Sequence, residues 1–204
     1  MERPGDPLAG ERILLGRPGH GRLMPSPDDL AIIRAAIQGT DGAMDALADR
    51  YLPVVLGWAR RLGGSRIQAD DVAHDAWMVV MRRVGSVQDP GAFESWMYSV
   101  VRRVVAAHRR KAWLRRWVAG EVPDGADPDA DPERDAQRSA RSEAIGRALD
   151  RLRPHHREII VLCDLEDRPD REVSILLGIP KGTVKSRLRR ARKELRGILE
   201  AQRE

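Results

Sequence analysis

The sequence predicts an all-α fold, with two small helical domains joined by a flexible acidic linker. Three observations predict it. Apolar residues recur at helical spacings of three and four from about Asp28 to Trp117 and again from about Ser139 onward, with no strand-like alternation in either stretch. Between the two stretches, Glu121, Asp124, Asp127, Asp129, Asp131, Glu133 and Asp135 stand against Arg134 alone, interleaved with Pro123, Pro128 and Pro132. Every Tyr, Phe and Trp lies before that acidic stretch, from Tyr51 to Trp117, so the two units are expected to have separate cores.

Residues 1–27 carry Pro4, Gly5, Pro7, Gly10, Gly16, Pro18, Gly19, Gly21, Pro25 and Pro27, a density of breakers that predicts a disordered N-terminal extension. Met24 stands just before the first periodic residue as an alternative start. The first domain is assigned to 28–117, with helices broken at Gly39, at Gly63-Gly64 and at Asp89-Pro90-Gly91. Its helix from Gln68 to Arg82 is acidic at the start, with Asp70, Asp71 and Asp75, and apolar behind. Those acids fit a favoured helix N-terminus and equally a protein-binding surface. In the next helix Phe93, Trp96, Met97, Val100 and Val104 form an inward stripe. The same helix carries Arg102, Arg103, Arg109, Arg110, Lys111, Arg115 and Arg116, with no acid from residue 95 to 120. The linker is assigned to 118–138 and the second domain to 139–204.

The second domain ends in a helix-turn-helix pattern. Arg171 to Leu177 reads as a first helix, with Pro169 pre-setting φ before it and Gly178 available for a left-handed stop. Gly178-Ile179-Pro180 is too short for anything but a sharp corner. In the second helix Val184, Leu188, Ala191, Leu195 and Leu199 form the inward stripe, while Thr183, Ser186, Arg189, Arg190 and Lys193 lie opposite. Lys181, Lys185, Arg187, Arg189, Arg190, Arg192, Lys193 and Arg196 stand against the single acid Glu194. A merely solvated face interleaves acids for i,i+4 pairing, and this one does not. The pattern fits the phosphate backbone of DNA, and two basic helices in separate domains fit two separated stretches of one DNA.

The 204 residues, net charge of +5 and isoelectric point near 9.9 suit a chain that meets a polyanion. No run of eighteen apolar residues occurs, so membrane insertion is not expected. Cys163 is the only cysteine and lies in the apolar run Ile159 to Cys163, which predicts a buried thiol, no disulfide and a cytoplasmic location. No catalytic residue, metal site or cofactor is predicted. The adjacent His155-His156 pair lacks ligand spacing, and the alternating Asp127, Asp129 and Asp131 lack the glycine and terminal glutamate of a calcium loop.

Leu152-Arg153-Pro154-His155-His156-Arg157-Glu158-Ile159-Ile160-Val161-Leu162, running on through Gly178-Ile179-Pro180-Lys181-Gly182-Thr183-Val184-Lys185-Ser186-Arg187-Leu188, resembles region four of bacterial extracytoplasmic-function sigma factors. Asp70-Asp71-Val72-Ala73-His74-Asp75-Ala76-Trp77 and Phe93-Glu94-Ser95-Trp96-Met97-Tyr98 resemble region two. The resemblance runs from about Asp28 to Leu199. It implies a promoter-specificity subunit with no catalytic activity of its own, which joins core RNA polymerase, recognises and melts promoter DNA, is held by an anti-sigma factor, and is a monomer when free. It further implies that Asp70, Asp71, His74 and Asp75 meet the polymerase. Arg102, Arg103, Arg109, Arg110 and Lys111 would meet the minus-ten element, with a flipped base held by the loop from Val84 to Ala92. Lys181, Gly182, Thr183, Lys185, Ser186, Arg187, Arg189, Arg190 and Lys193 would meet the minus-thirty-five element. Arg103 stands where the family usually has Asn, Ala107 where it has Asp, and His74 where Gln is common, which leaves the minus-ten preference open. Arg168-Pro169-Asp170 replaces a more apolar run and is expected to alter the surroundings of the first motif helix.

A helix-turn-helix activator or repressor acting without polymerase is the alternative, but such regulators usually dimerise and no heptad seam is present. A DNA-processing enzyme fits worst, because no phosphate loop and no nucleophile beside a base occur.

Overall fold

The computed structural model describes residues 25–118 and 140–202. The predicted N-terminal extension and the acidic linker fall, but for their edges, outside the described residues. Eight α-helices are present among them: α1 (Pro27–Ile37), α2 (Ala43–Gly63), α3 (Ala69–Arg83), α4 (Phe93–Val118), α5 (Ala140–Arg151), α6 (Pro154–Ile160), α7 (Asp170–Leu177) and α8 (Lys181–Ala201). No strand occurs among the described residues.

Helix α1 starts on a reciprocal cap. The Ser26 hydroxyl accepts from the Asp29 amide at 3.1 Å, and the Asp29 carboxylate accepts from the Ser26 amide at 3.0 Å. Arg50 of α2 donates to the same carboxylate, through Nε at 2.5 Å, and ties α1 to α2. That hydrogen bond holds the Asp29 pKa down to about 2. The apolar face of α2 supplies Leu47, Val55 and Trp58, each fully buried. Around them α3 and α4 pack, and edge-to-face aromatic pairs fix the angles: Trp58 with Tyr98 at 4.9 Å between centroids, Tyr51 with Phe93 at 5.2 Å. The inward stripe of α4 is as expected for Phe93, Met97 and Val100, whereas Trp96 and Val104 are only partly buried.

In the second unit α6 runs into one wider π-type turn, Val161–Leu165, which buries Cys163. Asp167 then adopts φ 53°, a left-handed conformation that Asp tolerates better than most residues. Helix α7 ends at Gly178, φ 64°, and α8 begins three residues later. The Ser174 hydroxyl donates to the Ile179 carbonyl at 2.6 Å and pins the corner.

The expectation of separate cores is corrected. The buried apolar side chains of both units form one contiguous cluster. Helix α4 packs on α7, the turn Gly64–Arg66 on α5, and α2 on α6. Over that contact lies a layer of buried charge. Arg157 pairs with Asp150 and donates to the Leu62 carbonyl at the end of α2, a favourable place for a cation. Arg168 pairs with Glu94 at 2.7 Å and Glu166 at 2.9 Å. Glu166 also takes Arg61 at 2.9 Å. Glu158 accepts from Tyr98 at 3.2 Å and from Arg102 at 3.1 Å. Burial pushes the pKa values of Glu94 and Glu158 up, against the pull of Arg168 and Arg102 respectively.

Candidate nucleic-acid interface

Helix α8 presents the second-domain candidates on one side because its other side is committed to the core. Val184, Leu188, Ala191 and Leu195 are buried, and Leu199 packs partly against the cluster. Lys181, Gly182, Lys185, Arg189, Arg190 and Lys193 are exposed, while Thr183, Ser186 and Arg187 are half-buried. The corner at Gly178 aims the first turn of α8 outward, with Thr183 and Ser186 joined by a 3.2 Å bond from the Ser186 hydroxyl to the Thr183 carbonyl. This is a continuous donor surface of the kind a recognition helix lays in a major groove.

Two charged residues of α8 serve the fold. Arg192 makes a two-pronged pair with Asp164, at 2.6 and 3.0 Å, and Asp164 is fully buried. Glu194 accepts from the Arg153 amide at 3.3 Å and pairs with His156, so the one acid between Lys181 and Arg196 anchors the start of α6. The spacing of the sequence could not separate Arg192 from its exposed neighbours, because its partner lies 28 residues away.

On α4 the five candidates part company. Arg103 is exposed and lines a shallow cleft between α3 and α4 together with Arg82, Arg83, Val79, Val100 and Val104. Arg102 is held by Glu158 of the second unit. Arg109 is half-buried and donates to the Leu62 carbonyl at 3.3 Å. Arg110 and Lys111 are exposed on the part of α4 that extends beyond the core. Sequence reasoning missed Arg82 and Arg83, since basic residues in a last helical turn read first as complements to the macrodipole. Three guanidinium groups around an apolar floor can hold an unpaired base and its phosphates. Arg83 of the cleft leads directly into the segment 84–92, whose fold is set by buried Val84 and Val87 and by Asp89 accepting from the Gly91 amide at 2.8 Å.

Helix α3 buries Val72, Ala73, Ala76, Trp77 and Val80 and exposes Asp70, Asp71, His74 and Asp75. No side chain caps this helix, whose N-cap is Gln68, so the acids lie in the first turns rather than on the cap. Asp75 lies 2.8 Å from His108 Nε2 on α4, and Asp70 lies 3.9 Å from Arg60. The four residues form one exposed acidic ridge, on the side of α3 opposite its buried stripe.

Among the described residues no helix is long and apolar enough to cross a membrane, and no three metal-ligating side chains gather.

Comparison with known proteins matches this geometry to one family. The model for Sigma-70 region 2 matches residues 47–122 and that for Sigma-70, region 4, matches residues 142–195. The chain is 33% identical over 157 residues to the ECF RNA polymerase sigma factor SigE of Mycolicibacterium smegmatis, covering 76% of this chain and 61% of that protein. It is 28% identical over 174 residues to the ECF sigma factor SigL of Mycobacterium tuberculosis, covering 84% of this chain and 97% of that protein. Among solved structures, CnrH in complex with the cytosolic domain of CnrY aligns with a TM-score of 0.60 at 23% identity, over 85% of this chain and 97% of that one. The sigma factor RpoE of Bartonella quintana, in complex with the anti-sigma factor NepR, aligns at 0.58 and 21% identity, over 76% and 96%. With both region models matched in order along two helical units, the chain belongs to the extracytoplasmic-function subfamily of RNA polymerase sigma factors.

Proposed function

We propose that the chain joins core RNA polymerase and directs it to a specific set of promoters, which it recognises and opens, and that it has no catalytic activity of its own. The observation that carries this reading is the presence of two separate basic faces, α8 in one unit and the α3–α4 cleft in the other, with an acidic ridge between Asp70 and Asp75 to engage a partner. Region four reads duplex DNA through Lys181, Gly182, Thr183, Lys185, Ser186, Arg187, Arg189, Arg190 and Lys193. Region two takes the minus-ten strand at Arg103, Arg110 and Lys111, and at Arg102 and Arg109 once these leave Glu158 and the Leu62 carbonyl. The domain bounds of 28–117 and 139–204 follow the same division. The solved relatives are complexes with CnrY and with NepR, which supports an anti-sigma partner for this chain also. A gel shift with promoter DNA, with and without core polymerase, tests the proposal: a specific shift is expected only with the core present. A specific shift without it would favour a self-sufficient helix-turn-helix regulator.

A further inference from the structure

The last buried residue of α4 is Val105, yet the helix continues to Val118. The remainder, about 20 Å of helix at 1.5 Å per residue, carries Trp113 and Trp117, which are 55% and 69% exposed. Beyond His108 and Arg109, which still reach Asp75 and the Leu62 carbonyl, the helix gains nothing from exposing two indoles, and exposed aromatic surface marks a contact. The two rings lie i,i+4 on one side, nearly parallel at 12° with centroids 6.4 Å apart. Arg103, Ala106 and Arg110 share that side, so it runs unbroken from the α3–α4 cleft to the indoles.

The charge of the surroundings selects the partner. Arg103 and Arg110 are exposed on the side of the rings, Lys111 and Arg115 on the opposite side of the helix, and no acid occurs from Ser95 to Gly120. A second copy of this helix would be repelled, and a neutral apolar groove would strip water from the cations without replacing it. Among polyanions, a duplex keeps its base faces covered, so parallel indoles would find only phosphates there. An unpaired strand offers phosphates and ring faces together. A lipid surface fits less well, because Arg110 lies on the same side as the indoles one turn before them and confines the apolar stripe to two turns.

We propose that Trp113 and Trp117 form a stacking platform for unpaired DNA bases, with Arg103 and Arg110 on the same side of the helix holding the phosphates of the same strand. The platform extends the cleft between α3 and α4, and its place in promoter opening rests on the function proposed above. The direct test uses the full chain and a fluorescein-labelled oligothymidylate, with a duplex of equal length and anionic phosphatidylserine vesicles beside it. Trp113→Ala/Trp117→Ala is expected to weaken oligothymidylate binding by about 30-fold or more, from the loss of two base stacks, and to leave duplex binding within about twofold. Trp113→Phe/Trp117→Phe should retain most of the affinity, because the ring faces remain. Unchanged oligothymidylate binding by the Ala pair would overturn the proposal. So would equal losses on single strand and duplex, or a loss confined to vesicles. Holoenzyme assembled with the Ala pair separates the two readings. Normal recruitment to closed promoter with lost permanganate reactivity supports the platform, and normal permanganate reactivity removes it from promoter opening. A wild-type chain that binds the oligothymidylate but never joins the core would sink the sigma function and leave the platform standing.

Discussion

Arg168 Nη2 donates to Glu94 Oε1 at 2.7 Å across the boundary between the two helical units, and both side chains are buried. The same guanidinium donates from Nε to Glu166 at 2.9 Å and lies 5.9 Å from the centroid of the Trp58 ring. Arg168 therefore compensates two carboxylates that burial would otherwise destabilise. A layer of this kind specifies how the units meet more than it holds them together, because each half can be rehydrated when they part.

Removing the cation should open the pair. Arg168→Ala is expected to weaken the closed arrangement by about 3–5 kcal/mol, because it leaves Glu94 and part of the charge on Glu166 uncompensated. Small-angle scattering should then show a larger radius of gyration. Adding Glu94→Leu should recover part of the loss, as apolar replacement of a buried pair is often close to neutral. An unchanged radius in Arg168→Ala would show that the apolar contact alone sets the arrangement.

Gly64 gives a second handle on the same contact. It adopts φ 68°, and a methyl group there would run into the Asp150 carboxylate and the Arg157 guanidinium. Gly42 adopts φ 73° with open space around it. Both Ala variants should be strained by about 1 kcal/mol, but only Gly64→Ala should also separate the units. Equal melting temperatures for the two variants would contradict the close packing at Gly64.

The Asp29–Arg50 pair sets an acid limb. The Asp29 pKa lies near 2 in the folded chain against an ordinary value of 3.8, so its contribution is complete above about pH 4 and fades as the pH falls toward 2. It amounts to up to about 2 kcal/mol. Asp29→Asn should be less stable than the wild type at neutral pH, with the difference shrinking below pH 4 in urea titrations. A difference independent of pH would assign the loss to the helix cap instead of the charge.

On α8, exposed and buried cations should behave differently. Lys185→Ala should weaken binding alike on all promoters and flatten the salt dependence by about one unit. Arg190→Ala should cost about 1–3 kcal/mol on the cognate upstream element and little on a scrambled one, if it contacts base edges. Arg192→Ala should act first on stability, because it removes a two-pronged partner of the buried carboxylate of Asp164. Chemical denaturation beside salt-titrated binding checks all three.

The parts legible in the sequence were those governed by short-range rules. Gly178 stops α7 and Val184 to Leu195 form a stripe because both effects act within a few residues. The exposed acids of α3 and the basic side of α8 follow from the same periodicity. What the chain concealed is long-range pairing. Arg168 and Glu94 lie 74 residues apart, and Arg157 meets the Leu62 carbonyl from 95 residues away. Singly, each of these charges reads as a solvated surface group. The change of run at Arg168-Pro169-Asp170 pointed to altered surroundings for the first motif helix, but only the fold shows that Arg168 faces the other unit. Trp113 and Trp117 stand in sequence among the first unit's aromatics, and periodicity gives no reason to set them outside its core.

Whether this chain makes core polymerase promoter-specific is decided by run-off transcription from genomic fragments. Core polymerase with the chain should yield discrete transcripts from a limited set of fragments, while core alone yields none, and Asp71→Lys/Asp75→Lys, shown to be folded by circular dichroism, should abolish them. Transcripts identical with and without the chain, or a chain that binds those fragments tightly without ever recruiting the core, would contradict that role.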